Sequence, residues 1–85
     1  KDLADQPAAQ ARLMLAIGSA YASLGLPADA MPLLDRAIAL AEAEGGDPAV
    51  AIEALEQASV VAGNAARGTD ALAYAERAAL LRERI

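Results

Sequence analysis

Apolar residues recur at three- and four-residue steps along most of the chain, the spacing of one helix face. The pattern is plainest from Leu13 to Ala37, LMLAIGSAYASLGLPADAMPLLDRA. Leu13, Met14, Ile17, Tyr21 and Leu24 form one predicted stripe, and Met31, Leu34, Ala37, Ile38 and Ala41 form a second. Gly25-Leu26-Pro27 separates them, so the stretch is expected to be a helical hairpin with an apolar side left over for a neighbour of the same kind.

The punctuation predicts four helices. The first runs from about Ala8 to Leu24, after an N-cap at Asp5 and a proline, Pro7, in the free first turn. Gly25 suits its C-terminal cap. Pro32 argues for a second helix that begins near Asp29, or bends slightly, and reaches about Glu44. Gly45-Gly46 ends it, and Asp47-Pro48 is a strong restart signal. The third helix is expected from about Pro48 to Ala65, with Ile52, Leu55, Ala58, Val61 and Ala62 on its stripe. Arg67-Gly68 is expected to make the next turn and Thr69 to cap a fourth helix ending near Glu83. Leu72, Ala75, Ala78, Ala79 and Leu81 form its stripe, and Arg77, Arg82 and Arg84 suit the negative end of its dipole. The expected fold is all-α: one domain over residues 1–85, with hairpins at 8–46 and 47–85.

The hairpins repeat. DAMPLLDRAIAL from Asp29 falls on DALAYAERAALL from Asp70, a shift of 41 residues. The same shift carries Met14, Ile17, Gly18 and Tyr21 onto Leu55, Ala58, Ser59 and Ala62. Small residues have a packing reason here. Gly18 and Ala30 are expected where the first two helices cross, and Ala37 where the third approaches. Gly18→Leu or Ala30→Leu would overpack the hairpin by roughly 1–3 kcal/mol.

Met14-x2-Ile17-Gly18-x2-Tyr21, then Ala30-x3-Leu34 and Ala37, resembles the tetratricopeptide (TPR) pattern W-x2-L-G-x2-Y…A-x3-F. The second hairpin keeps Ala71 and Ala78 but has Ser59 and Ala62 where the pattern has Gly and Tyr. The period exceeds the usual repeat of about 34 residues and is similar to the longer repeats of kinesin light chains. HEAT-like repeats share the period, but the Gly18 and Tyr21 spacing favours TPR. The segment carrying Leu3, Asp5, Pro7, Gly18, Tyr21, Leu24, Gly25, Ala30 and Leu34 also looks like the repeat region downstream of the kinase domain in some bacterial serine/threonine kinases. The resemblance implies a right-handed α-solenoid fragment and a non-catalytic module of a signalling protein. A cytoplasmic location is preferred, or a periplasmic one if a membrane span precedes the repeats in a parent chain.

Composition narrows the chemistry. The apolar fraction is 56%, but nearly a third of all residues are alanine and there is no Phe or Trp. Such a core holds helices by close approach. The net charge is −5, with no basic stripe for nucleic acid. No apolar run nears the roughly 18 residues of a membrane span, and no signal peptide is visible. A beginning at Lys1 is expected of an excised segment or a processed product. Without His or Cys, a Ser-His-Asp triad, a Cys-His dyad and a thiolate or imidazole zinc site are excluded. No catalytic residue, metal site or cofactor is expected. Glu42, Glu44 and Asp47 read as a solvated loop with a helix cap rather than a calcium loop. Glu53 and Glu56 could form a carboxylate pair, but an open helical face gives them no pocket. Gly45-Gly46 lacks the Lys and Ser/Thr of a phosphate loop. Tyr21 is expected in the core, and Tyr74 on the surface or against a following repeat.

In the TPR family the first helix of each repeat lines the concave side. The resemblance therefore assigns a partner-binding face to Arg12, Leu15, Ser19, Ala22 and Ser23, with Glu53, Glu56, Val60 and Asn64 from the third helix. Leu15 and Ser19 stand where carboxylate-gripping TPRs have Lys and Asn, so a carboxylate clamp is not supported. Glu53 and Glu56 point to a basic or neutral peptide, or more plainly to solubility and an ion pair with Arg12. An apolar end at Leu72, Leu80, Leu81 and Ile85 is expected to meet further repeats or a second copy. The expected function is protein–protein interaction or scaffolding. The alternatives are self-association without a peptide ligand, or the repeat region of a transcriptional regulator.

Overall fold

A computed structural model describes residues 6–85. It contains four helices, α1 (Pro7–Ser23), α2 (Pro27–Glu42), α3 (Pro48–Asn64) and α4 (Gly68–Arg84), and no strand among the described residues. The fold is all-α, built from two helical hairpins. Each helix packs along the next one in the chain, α1 also touches α3, and no other pair of helices comes within 8 Å between Cα atoms. The helices therefore stand in an open row, with extents of 39 × 29 × 14 Å.

The helix starts follow their capping chemistry. Pro7, Pro27 and Pro48 each open a helix at its first turn, where a missing N–H costs little. Asp47 caps α3 by accepting a hydrogen bond from the Ala49 N–H at 3.0 Å. Gln6 occupies the cap position of α1 without a side-chain bond; Asp5, the residue expected there, lies outside the described residues. Two starts differ from the sequence reading. Helix α2 begins at Pro27, not near Asp29, so Pro32 lies inside it. The proline withdraws the donor that would bond the Ala28 carbonyl. Both residues are exposed, which leaves that carbonyl to water. Helix α4 begins at Gly68 with Arg67 at the cap, and Thr69 is within the helix.

The two hairpin turns are the same motif. After α1, the Leu26 N–H donates to the Tyr21 carbonyl and the Gly25 N–H to the Ala22 carbonyl, both at 3.0 Å. After α3, Arg67 donates to Ala62 at 2.8 Å and Ala66 to Gly63 at 3.1 Å. These are the paired bonds of a Schellman cap, which needs one left-handed residue. Gly25 supplies it at φ +76°. In the second turn the residue is Ala66, at φ 62°. The turn thus centres on Ala66 rather than on Arg67-Gly68. The 41-residue shift carries Gly25 onto Ala66, so the repeat extends through the turns. In the α2–α3 connection a Cβ on Gly46 would lie 2.2 Å from the Ala41 carbonyl oxygen, so only glycine fits there.

Helices α2 and α3 are covered on two sides. Leu34, Leu55, Ala30, Ala37, Ala54, Ala58 and Ala62 are fully buried. Helix α1 packs through Ala11, Leu15 and Gly18, with Met14 partly buried. Leu13, Ile17, Tyr21 and Leu24, expected as its packing stripe, are 37–72% exposed. The reason is the closeness that small residues permit: Leu34 of α2 lies over Gly18, with its Cδ2 3.0 Å from where a Cβ would be. Helix α4 fully buries only Ala78, and Tyr74 and Leu81 pack partly against the core.

Candidate interaction surface

Helices α1 and α3 run side by side towards their C-terminal ends and leave a groove of about 500 Å³ between them. Ser19, Ala22 and Ser23 line it from α1, and Gln57, Val60, Val61 and Asn64 from α3. Gly25 and Pro27, from the turn and the start of α2, close one end. Every lining side chain is uncharged. The groove combines hydroxyls and side-chain amides with an apolar ridge at Val60, which is 59% exposed. Such a surface can hydrogen-bond a peptide backbone and hold small apolar side chains; it offers no charge to a charged partner.

The structure brings together Ser19, Ser23 and Asn64 of the expected binding face, with Ala22 and Val60 beside them. Gln57 completes the groove. It faces Asn64 across two helical turns of α3, a periodicity through which the sequence could have identified it. The other expected residues lie elsewhere. Leu15 is 7% exposed and belongs to the core, so no partner reaches it. Arg12 binds Asp47 at 2.8 Å and ties α1 to the N-terminus of α3. Glu53 and Glu56 border a separate hollow with Ala49, Ile52, Arg82 and Ile85. Glu56 pairs there with Arg82 of α4, not with Arg12. The carboxylates are therefore on the α4 side of α3, and the groove is not acidic.

Side-chain bonds hold α4 to the rest. Ser59 donates to the Ala71 carbonyl at 2.8 Å. Arg77 reaches Glu42 of α2 at 2.9 Å. The Tyr74 hydroxyl donates to Asp35 of α2 at 2.5 Å. Partial burial, reinforced by this bond to the Asp35 carboxylate, pushes the Tyr74 hydroxyl up to about 12. Of the four residues expected at the apolar end, Leu72, Leu80 and Ile85 are 59–71% exposed, whereas Leu81 packs partly against the core. Tyr21, expected inside, is 37% exposed.

No described residues form a cluster of three or more His, Cys, Asp or Glu suited to a metal ion. No described helix is long and apolar enough to cross a membrane. No family model, curated protein or solved structure matches the chain.

Proposed function

We propose that the chain is a non-catalytic, TPR-like protein-interaction module that holds an uncharged, extended peptide segment in the groove between α1 and α3. The observation that carries this reading is the convergence of Ser19, Ser23, Gln57 and Asn64 around the exposed Val60, without a charged group among the lining residues. The placement of small residues supports the TPR comparison: Gly18 receives Leu34, and Ala30 and Ala37 are fully buried. The two hairpins would then be successive repeats of a right-handed solenoid. The resemblance of the opening segment to the repeat region downstream of the kinase domain in some bacterial serine/threonine kinases further suggests a scaffolding region of a larger bacterial signalling protein.

The test is a fluorescence-anisotropy panel of neutral, basic and acidic octapeptides. Neutral peptides should bind best, and Val60→Asp or Asn64→Ala should weaken them at least about fivefold, as for a contact central to a small interface. Preferential capture of basic peptides, lost on Glu53→Gln and Glu56→Gln, would reject the groove in favour of the carboxylate side of α3.

A further inference from the structure

The 41-residue shift makes the interior of the row a template for its two ends. On α2, Met31, Leu34 and Ile38 are 0–5% exposed. Their equivalents on α4 are Leu72, Ala75 and Ala79, all exposed. On α3, Ala54, Ala58 and Ala62 are fully buried. Their equivalents on α1 are Leu13, Ile17 and Tyr21, which are 37–44% exposed. Each end of the row therefore carries one half of the α2–α3 junction, uncovered.

We propose that a second copy of this chain covers these halves. The outer face of α1 in one copy packs on the outer face of α4 in the next, in the register that α2 and α3 use internally. This assembly uses other surfaces than the α1–α3 groove and does not depend on a peptide ligand.

Two features favour the second copy. The first is size. Inside the row the large Met31, Leu34 and Ile38 of α2 and the three alanines of α3 are all buried where the helices pack. The end junction sets the large Leu13, Ile17 and Tyr21 against Leu72 and two alanines. Two of the three places exchange large for small, which keeps the junction filled. The remaining place brings Leu72 towards Tyr21, where Ala16, Ala20 and Leu24 leave a shallow apolar hollow of about 450 Å³. The second is charge. Inside the chain Arg77 of α4 binds Glu42 of α2 at 2.9 Å. One shift along, the same pair becomes Arg36 of the next copy with Glu83, both exposed. Arg82 stands at the place of Ala41, but it is turned back to Glu56 in its own copy. The template also separates the apolar residues at the C-terminal end. Leu72 corresponds to the buried Met31, whereas Leu80 and Ile85 correspond to Ala39 and Glu44, which are exposed inside the row as well. Leu72 belongs to the junction; Leu80 and Ile85 do not.

A junction of two different faces is heterologous, so it extends into open chains instead of closing as a two-fold dimer. Sedimentation equilibrium from about 10 μM to about 1 mM tests this. The wild-type mass should rise steadily beyond a dimer. Ile17→Glu removes the α1 face and Leu72→Glu the α4 face; both sites are exposed, and circular dichroism checks the fold, with Leu13→Glu replacing Ile17→Glu if that variant unfolds. Each variant alone carries the substituted face in every junction, so its dissociation constant should rise at least about tenfold. An equimolar mixture should recover a 1:1 complex of wild-type affinity through the one intact junction. Glu83→Arg should weaken association about two- to fivefold, and adding Arg36→Glu should restore it. A wild-type chain that stays monomeric at about 1 mM overturns the proposal. So does a mixture that associates no better than its components, or a variant that self-associates as the wild type does.

Discussion

Ala66 holds a left-handed backbone conformation, φ 62°, at the place where the other hairpin has Gly25, φ +76°. A side chain in that region costs about 1–2 kcal/mol, because Cβ crowds the following carbonyl. Ala66→Gly relieves that strain but frees the unfolded chain, which returns about 0.4–1 kcal/mol of the gain. The net expectation is a stabilisation of about 1 kcal/mol, or about 4–8 °C in Tm for a domain of this size. The reverse change in the first turn, Gly25→Ala, should destabilise by about the same amount. A Cβ on Gly25 meets nothing within 4 Å, so only the backbone resists it. The caps themselves persist in both variants, since their hydrogen bonds are made by the backbone. Thermal melts followed by circular dichroism at low protein concentration, where self-association is negligible, measure both. If Ala66→Gly were neutral or harmful, or if Gly25→Ala were neutral, the shared cap geometry would be wrong.

Other expectations follow from single contacts. Gly18→Leu should lose roughly 1–3 kcal/mol in urea unfolding, because Leu34 already fills the space above Gly18; no loss would disprove the close α1–α2 crossing. Asp47→Ala should lose about 1 kcal/mol with its cap, whereas Arg12→Ala removes only an exposed ion pair and should lose less. Equal losses would mean that the cap bond contributes nothing. For Tyr74, the unfolded hydroxyl releases its proton near its ordinary value of 10.0 and the folded one only near about 12. The folded state thus holds a proton that the unfolded state has lost, and this contribution is whole below pH 10.0 and fades as pH rises towards about 12. Comparing wild type with Tyr74→Phe across that window should show an alkaline loss confined to the wild type; parallel curves would remove Tyr74 from the account.

The apolar period and the capping signals made the four helices legible, and Asp47-Pro48 marked its helix start without error. The residues that misled did so for physical reasons. Helix α1 has apolar side chains on two sides, and the larger ones drew the stripe to Leu13, Ile17 and Tyr21. The side that packs is the one whose small residues, Ala11 and Gly18, let α2 come close. Pro32 suggested a late start, yet an exposed carbonyl can turn to water at little cost. Gly68 drew attention from Ala66, because an alanine gives no sign that its backbone is left-handed; only the shift from Gly25 reveals it. Register placed Ser19, Ser23 and Asn64 on the facing sides of α1 and α3, where they line a common groove. It misplaced Leu15, which the crossing of α1 over its neighbours takes into the core, and Glu56, which Arg82 draws towards α4.

The proposed seat of a partner is the α1–α3 groove. The most direct measurement is an amide chemical-shift map of the isotopically labelled chain during titration with a neutral octapeptide, at a concentration low enough to keep the chain monomeric. Binding in the groove should place the largest changes on Ser19, Ser23, Gln57, Val60 and Asn64, and leave Glu53, Ile52 and Ile85 still. Changes concentrated around Glu53 and Glu56, or on the outer face of α1 at Ile17 and Leu24, would contradict it.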